Sequence, residues 1–456
     1  MKKRRKWAGL ALGIVSLLQI NLLPVQAEEY WPEGPQIAGE SAIVMEASTG
    51  TVLYEKNSHQ QSYPASITKI MTALLAVENS SLDEEVVFSK NAVYKTEGSG
   101  IARDVDEVMS MEECLYGLML ESANECGYAI AEHVGKDYED FINMMNTRAK
   151  ELGCSDTHFN NPHGLPDEEH VTSACDIAMI SKEALKNDIF RMIVNTKRHT
   201  IPPTNKHEEE TYLVNHHKML TNYQGDSRYL YDYCIGGKTG YTSVAGSTLA
   251  TFAEKDGMTL ICVVTREQAP NHYLDTRTLF DYCFENFQLW NVAEHEKSYD
   301  SEIKENKIFE NEESFVGLNK EGCIVLPKAA AFTDAVPEVE EVTDSKEVIG
   351  NIRYTYAGRV VGGTEIEITG AKVSEFTFHK QKEPETEKAA KEKKVLKINV
   401  KYIVLGVLAV LLLAGIGFGI YHFVDNFYLI KYKMECRRQQ KMSFKEIKFR
   451  KKKHRK

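Results

Sequence analysis

Apolar and polar positions repeat with two different periods along the chain, and each period predicts a different element. Between residues 64 and 75 the apolar side chains stand at 67, 70, 71, 74 and 75, a helical spacing with one buried face. Alternation around Ser48-Thr49-Gly50 predicts a hairpin over residues 41–54. A second hairpin is predicted between residues 246 and 265, with its turn at Asp256-Gly257. This part of the chain therefore mixes helices with antiparallel strands.

A second helical region begins at Ser110, where Ser110-Met111-Glu112-Glu113 has the capping-box pattern. It runs toward Ser122, and a further helix is predicted over residues 126–134. Lys238 comes just before the second hairpin, so it should lie on a strand beside that hairpin. Ser122 is therefore expected at the junction of two helices, and Lys238 on a strand of the sheet that contains the hairpin.

The pattern changes at about residue 293, where the helical periodicity fades. Short alternating segments with turn residues between them predict a small β-rich domain over residues 293–378. The expected strands are at 315–318, 323–326, 352–356 and 365–369. Because no catalytic chemistry is found in them, this domain is expected to hold the preceding body away from a membrane.

Both ends of the chain carry targeting patterns. Residues 1–27 combine a basic start, an apolar run and a small residue at Ala27, which is typical of a cleaved signal peptide; an uncleaved anchor is the alternative. Residues 402–424 are predicted as a transmembrane helix, because the 20 residues from Tyr402 to Tyr421 are uncharged and would span a bilayer of about 30 Å. A buried core helix is the alternative there. The charged stretch 379–401 is typical of a linker.

The tail, residues 425–456, is strongly basic, with 13 Lys and Arg against two Glu from residue 431 onward. Cations stay on the cytoplasmic side, so the tail is expected inside the cell and the body outside. The tail would bind anionic lipid at about 1 kcal/mol per cation, or dock a cytoplasmic partner. Removing the +11 of residues 431–456 and the +5 of the first 27 residues from the net −11 leaves −27 on residues 28–430. That acidic body argues against nucleic-acid binding.

Nine cysteines are present, eight of them ahead of the membrane segment and Cys436 in the tail. Export permits disulfides, yet a body of this size builds its core without them. Several cysteines lie in apolar contexts, so most are expected as buried free thiols. Since no Cys-x-x-Cys pair and no zinc-spaced histidine cluster occurs, we predict no metal and no cofactor.

Ser66 and Lys69 stand three residues apart on the first predicted helix, where side chains of one face meet. A serine hydroxyl needs a base to become a nucleophile, and a lysine serves only when its amine is neutral. Alone, the pattern is weak, because a Ser-x-x-Lys match is more often a surface pair on an ordinary helix. However, Ser122-Ala123-Asn124 and Lys238-Thr239-Gly240 follow in chain order, and the three motifs together are the signature of penicillin-recognising serine enzymes.

Further segments extend this match. They are residues 41–54, His163-Gly164-Leu165 and residues 236–242. With the three motifs, they make the chain resemble the D-alanyl-D-alanine carboxypeptidases, which are low-molecular-mass penicillin-binding proteins. The resemblance covers roughly residues 35–290. It implies a β-lactamase/transpeptidase-like α+β domain over residues 28–292, in which helices flank an antiparallel sheet.

The chemistry of acyl transfer assigns the first roles, since it needs a nucleophile, a base and a proton donor for the leaving amine. Ser66 is predicted as the nucleophile and Lys69 as its base. Ser122 would pass the proton to the departing D-alanine. Asn124 would bind the substrate backbone and orient Lys69.

The third motif is expected to bind the substrate. Lys238 and Thr239 would hold the terminal carboxylate, and the charge of Lys238 would help to keep the base neutral. Gly240 has no side chain, so an extended peptide can lie against its strand. By resemblance, the backbone N–H groups of Ser66 and Tyr241 are the oxyanion donors.

The sequence does not assign a role to several charged residues near the motifs. Certain relatives use an arginine ahead of the third motif to hold the carboxylate, and the nearest cationic candidates are His216, His217 and Lys218. Both histidines are expected as satisfied surface groups. Glu121 and Glu125 flank the second motif and are expected as helix-surface charges without a role in the reaction.

The resemblance implies a serine-type carboxypeptidase that acts on peptidoglycan stem peptides and is inhibited by β-lactams. The targeting patterns place it in the cell membrane through one C-terminal helix, with the catalytic domain outside. Three alternatives stay open: a β-lactamase or a transpeptidase on the same scaffold, or a catalytically idle wall-binding receptor.

Overall fold

A computed structural model describes residues 30–297, 316–342, 345 and 348–368. The predicted signal peptide, linker, transmembrane helix and basic tail lie outside the described residues. Within those residues, none of the helices combines the length and the apolar character that crossing a bilayer requires.

Two larger sheets and two short strand pairs contain the strands of this part of the chain. The strands are β1 (Ser41–Glu46), β2 (Val52–Lys56), β3 (Glu85–Val87), β4 (Val108–Ser110), β5 (Arg198–Ile201), β6 (Thr211–Val214), β7 (Cys234–Thr242), β8 (Gly246–Lys255), β9 (Met258–Glu267), β10 (Phe287–Asn291), β11 (Val316–Leu318), β12 (Cys323–Pro327), β13 (Val336–Glu341), β14 (Val348–Tyr356) and β15 (Arg359–Ile368). The helices are α1 (Lys69–Asn79), α2 (Lys90–Tyr94), α3 (Met111–Leu120), α4 (Asn124–Val134), α5 (Tyr138–Glu151), α6 (Ala174–Ala184), α7 (Asp188–Asn195), α8 (Asn271–Asn286) and α9 (Val292–His295).

The first sheet is antiparallel and has the strand order β2-β1-β9-β8-β7. Both predicted hairpins are confirmed, as β1–β2 and as β8–β9. Along β1, Ile43 and Met45 enter the core under one helical layer, whereas Ala42 and Val44 pack on the other side. Both faces are therefore covered, which confirms an antiparallel sheet flanked by helices.

Helix α1 lies in the middle of the larger helical layer and packs against α3, α4 and α6. All of its residues from Lys69 to Ala76 are buried. The prediction of a single buried face was too narrow, because neighbouring helices surround α1. On the opposite side of the sheet, α8 packs against β8 and β9.

The second sheet has the order β10-β12-β15-β14-β13, and β11 also pairs with β15. Its first strand begins at Phe287, directly after α8 and ahead of the predicted boundary at residue 293. Ile352, Tyr354 and Tyr356 alternate into its core, as the strand pattern predicted. Tyr356 Oη also accepts a hydrogen bond of 3.2 Å from the Tyr30 N–H.

Eight cysteines lie within the described residues, and all are free thiols. Six of them are buried, and Cys154 and Cys323 are partly exposed. The expectation of mostly buried thiols is confirmed for this part of the chain; Cys436 lies outside it.

Candidate active site

Ser66 lies in a single 3₁₀ turn, Ala65–Thr68, that leads directly into α1. The sequence placed it in the first turn of the α-helix, which instead starts at Lys69. Ala65 adopts a left-handed conformation with φ 51°. Gly164 packs against this turn so closely that a Cβ there would come within 1.8 Å of the Ala65 carbonyl oxygen. Glycine at 164 is thus required by the shape of the turn that presents Ser66.

Lys69 is fully buried and its Nζ lies within hydrogen-bonding distance of three oxygen atoms. These are Ser66 Oγ at 3.1 Å, Asn124 Oδ1 at 2.6 Å and the His163 carbonyl oxygen at 2.5 Å. The amide oxygen and the carbonyl oxygen can only accept hydrogen bonds. A neutral amine would donate its two hydrogens to them and keep its lone pair for the Ser66 hydroxyl. This is the geometry that a general base requires.

The charge state of Lys69 follows from its surroundings. Burial, followed by the positive charge of Lys238, holds the pKa of Lys69 well below its ordinary value of 10.5. Lys238 is 2% exposed, and burial lowers its pKa to about 7, against the opposing influence of Glu121. Of the two amines, Lys69 has the stronger cause to be neutral, because it also faces the other cation.

The second motif occupies the junction of α3 and α4, as predicted. Ser122 has a left-handed φ of 62°, and its buried hydroxyl has no hydrogen-bond partner within the described part of the chain. Asn124 begins α4, donates its backbone N–H to the Ser99 carbonyl at 2.8 Å and donates its side-chain amide to the Glu97 carbonyl. These bonds turn Asn124 Oδ1 toward the Lys69 amine.

The third motif lies on β7, which pairs with the β8–β9 hairpin as predicted and forms the edge of the first sheet. A Cβ at Gly240 would lie 2.8 Å from the Ser66 nitrogen and 2.3 Å from Thr248 Oγ1. The strand therefore touches the turn that carries Ser66. Thr239 is half-buried and the Tyr241 side chain is exposed. The three motifs converge, and every sequence-predicted site residue lies on one of these three segments.

The acidic residues beside the second motif were predicted incorrectly as helix-surface charges. Glu125 is only 7% exposed and its carboxylate accepts a 2.6 Å hydrogen bond from the Ile101 N–H. Glu121 accepts from the Val214 N–H at 2.8 Å and pairs with His216 Nε2 at 2.7 Å. Burial opposes its ionisation, but these contacts, with His216 first, hold the pKa of Glu121 below its ordinary value.

The cationic candidates for carboxylate binding are engaged elsewhere. His216 is satisfied by Glu121 and partly exposed, as expected. His217 is buried rather than on the surface; its Nε2 lies 3.0 Å from Thr251 Oγ1, and burial lowers its pKa to about 3. Lys218 pairs with Asp226 at 3.2 Å. Lys238, whose positive charge acts on the buried Lys69 amine, is the cation of the third motif.

Sequence reasoning missed groups that act through the backbone or over long separations. The His163 carbonyl oxygen contacts Lys69, although only the resemblance had drawn attention to residues 163–165. Thr248 donates its hydroxyl to the Pro64 carbonyl at 2.8 Å, just before the Ser66 turn. A carbonyl group is common to all residues, so no side-chain pattern could have identified the first of these contacts.

Comparison with known proteins decides the family. The profile of the family described as D-alanyl-D-alanine carboxypeptidase matches residues 28–269. The chain belongs to the D-alanyl-D-alanine carboxypeptidase family. It is thus related to serine peptidases that bind penicillin, as the three motifs indicated.

Individual relatives agree with this family assignment. The D-alanyl-D-alanine carboxypeptidase DacF of Bacillus subtilis is 34% identical over 256 residues, which are 55% of this chain and 63% of DacF. The D-alanyl-D-alanine carboxypeptidase of Streptomyces sp. K15 is 31% identical over 55% of this chain and 88% of its own length. The crystal structure of the Streptomyces K15 DD-transpeptidase superposes with a TM-score of 0.51 at 29% identity, covering 56% of this chain and all of that one.

Proposed function

We propose that the protein removes the terminal D-alanine from peptidoglycan stem pentapeptides through an acyl-enzyme on Ser66. The observation that carries this proposal is the buried Lys69 amine, which lies 3.1 Å from the Ser66 hydroxyl and donates to two further oxygens. The family supports the reaction class and the substrate class.

In the acylation step, Lys69 accepts the Ser66 proton while Ser66 Oγ attacks the carbonyl carbon of the penultimate D-alanine. The C–N bond to the terminal residue then breaks. The Ser122 hydroxyl gives its proton to the leaving amine and recovers one from Lys69. Ser122 suits this relay because its buried hydroxyl is not committed to any described partner. Asn124 orients Lys69 and binds the peptide backbone.

Substrate binding uses the exposed edge of β7. An extended peptide adds there as a further strand, and Gly240 leaves the space for it. Lys238 and Thr239 bind the terminal carboxylate. The N–H groups of Ser66 and Tyr241 receive the developing oxyanion, and the loss of one such donor costs about 3 kcal/mol of transition-state stabilisation.

Water completes the reaction by hydrolysing the ester on Ser66. A β-lactam acylates Ser66 in the same way, but its ring-opened product stays attached and blocks the water. A β-lactamase would need a dedicated base for rapid deacylation. Glu121 and Glu125, the acidic neighbours of the second motif, are both engaged by backbone N–H groups.

A transpeptidase is the second candidate. The named DD-transpeptidase of Streptomyces K15 shares the fold over its whole length, and on this scaffold an amine acceptor can replace water. The two reactions share the acyl-enzyme and differ only in the group that attacks it.

The location proposed for the protein follows from its sequence. Residues 1–27 direct export, residues 402–424 anchor the chain, and residues 425–456 remain in the cytoplasm. In chain order, the β-rich part, residues 293–378, follows the catalytic domain and precedes the charged linker 379–401. A family that acts on the cell wall fits this placement outside the membrane.

The test is mass spectrometry of a pentapeptide incubated with the full-length protein in detergent, with and without an amine acceptor. The proposal predicts loss of one alanine mass and release of free D-alanine. Crosslinked product in place of free D-alanine would select the transpeptidase. An unchanged pentapeptide would contradict both.

A further inference from the structure

The segment of residues 158–172 packs against the Ser66 turn and the start of α1 and makes three hydrogen bonds to them. Two of them join the His163 carbonyl to Lys69 and the Pro162 carbonyl to Thr72 Oγ1, the latter at 2.5 Å. The third joins His170 Nε2 to Thr68 Oγ1 at 2.9 Å. The first belongs to the base already described. The third connects a histidine outside the three motifs to the turn that carries Ser66.

The direction of each bond in this contact is fixed by chemistry. The Asn160 backbone N–H lies 2.9 Å from His170 Nδ1 and can only donate, so Nδ1 carries no hydrogen. The hydrogen of the neutral ring is therefore on Nε2, which donates to Thr68 Oγ1. The Thr68 hydroxyl in turn donates to the Ala65 carbonyl at 2.9 Å. These three hydrogen bonds form a relay in which each group donates to the next, from the Asn160 N–H through His170 and Thr68 to the Ala65 carbonyl.

The part of this relay between His170 and Ala65 is buried. Ala65 and His170 are each 1% exposed, and Thr68 is fully buried. Burial lowers the pKa of His170 to about 3, so the neutral ring persists at neutral pH. Removing the His170 ring would leave the buried Thr68 hydroxyl without this partner, and an unpaired buried polar group costs free energy.

The end of the relay lies on the peptide group that matters for catalysis. The Ala65 carbonyl and the Ser66 N–H belong to one planar peptide unit, so fixing the direction of the first fixes the direction of the second. Ala65 also holds a left-handed φ of 51°, which is sterically unfavourable for an L-residue. A conformation of that kind persists only where its surroundings hold it.

We infer that His170 is a positioning residue: through Thr68 it orients the peptide unit between Ala65 and Ser66, and thereby the Ser66 N–H that receives the oxyanion. The inference rests on the proposed function, since it assigns the Ser66 N–H that role. His170 contacts none of the reacting atoms in this scheme. Its contribution is to keep the turn in the one conformation that aims this donor.

The test compares four variants of the full-length protein: His170→Leu, His170→Gln, Thr68→Val and the double variant His170→Leu/Thr68→Val. The rate of Ser66 acylation by labelled penicillin is measured, together with kcat and KM for the pentapeptide. We expect His170→Leu and Thr68→Val each to slow acylation and kcat by tenfold or more, with KM little changed, because the lost alignment acts in the transition state.

Two features separate positioning from a merely structural role. Glutamine can accept from Asn160 and donate to Thr68, so His170→Gln should recover most of the acylation rate. The double variant should be no slower than the slower single variant, because both changes cut the same relay. His272→Leu is the matched control: that histidine is also buried, but it lies on α8, and its loss should leave the acylation rate of the folded protein unchanged.

Wild-type acylation of His170→Leu would overturn the inference, as would additive losses in the double variant. A folded His170→Gln as slow as His170→Leu would also overturn it. Failure of the proposed function is a separate result, namely that the wild-type protein releases no D-alanine. The effect of His170 on Ser66 is read from penicillin acylation, which does not depend on the peptide substrate.

Discussion

The two larger sheets of the protein both pack on apolar cores, but they differ in where buried polar side chains gather. Near the edge of the first sheet, Lys69, Asn124, His170 and Lys238 are all buried. The interior of the second sheet is mainly apolar and aromatic; its core includes Ile324, Leu326, Ile352, Tyr354 and Val361. Buried polar groups cost free energy unless they are paired. Their concentration around Ser66 therefore marks the region that carries the chemistry. The second sheet is expected to contribute stability and to hold the catalytic domain away from the membrane.

The largest effect should come from the nucleophile. Replacing Ser66 with alanine removes the only atom that forms the acyl bond, and losses of about a millionfold in kcat are known for such residues. The variant should fold as the wild type does and bind penicillin without covalent labelling. Release of D-alanine and covalent penicillin label measure the effect. If the Ser66→Ala protein were labelled as strongly as the wild type, the acyl bond would form elsewhere, and the region around Ser66 would not be the one that carries the chemistry.

The base should have the next largest effect. Lys69→Met keeps much of the length and apolar volume of the side chain but removes the lone pair, and a positioned base contributes about 10²–10⁴-fold. The acylation rate should fall by that order while the protein remains folded. Rapid-mixing measurement of the penicillin label gives the rate. Acylation within a factor of two of the wild type would mean that another group takes the Ser66 proton.

The pH dependence should reveal Lys238. Its pKa is lowered to about 7, so above that pH the free enzyme loses the cation that binds the carboxylate, and kcat/KM should fall by about tenfold per pH unit. In the enzyme–substrate complex, the negative carboxylate of the substrate stabilises the protonated form of Lys238. The value of kcat should therefore change less with pH than kcat/KM. Lys238→Arg is the control, because a guanidinium keeps its charge and should abolish this alkaline limb. A limb that persists in Lys238→Arg would assign the titration to another group.

The same shift predicts a trend in stability. The ordinary pKa of a lysine is 10.5, and that of folded Lys238 is about 7, so the unfolded chain binds more protons between these values. The free energy of unfolding should therefore rise with pH across this window, by the share due to Lys238. Denaturant titrations of wild type and Lys238→Met at pH 7 and pH 9 measure that share. Equal pH dependence in both proteins would contradict the assignment.

The smallest effect on catalysis should come from the second sheet. Ile352→Ala opens a cavity in its core, and such substitutions cost about 2–5 kcal/mol of stability. The acylation rate of the folded protein should stay at the wild-type value, because the substituted side chain belongs to the other interior. Thermal unfolding and penicillin labelling at a temperature where the variant is folded give the two readings. A slowed acylation would show that the second sheet is coupled to the site.

Much of the architecture could be predicted because short segments of the sequence determine its helices, caps and hairpins. The β8–β9 hairpin, the cap at Ser110 and the strand that carries Lys238 follow from short segments of sequence, and all three are present. The meeting of the three motifs was anticipated through resemblance. Spacing within the chain could not have provided it, since Ser66 and Gly240 are far apart in sequence.

What could not be predicted depends on contacts between distant residues. Glu121 and Glu125 resemble surface charges in any local window, but their partners are Val214, His216 and Ile101. The relay from His170 to Ala65 crosses about a hundred residues of sequence and ends on a backbone carbonyl. Tertiary packing determines such contacts, and periodicity carries no signal of them.

The most direct test of the account concerns the charge of Lys69 in the resting protein. Full-length protein labelled with ¹⁵N and ¹³C at lysine, with the Lys69 signal assigned by its absence in Lys69→Met, reports that charge by NMR. The account predicts the chemical shifts of a neutral amine at neutral pH, next to a Ser66 hydroxyl that donates to it. The shifts of an ammonium group at that pH would contradict it, since a protonated Lys69 cannot accept the proton of Ser66.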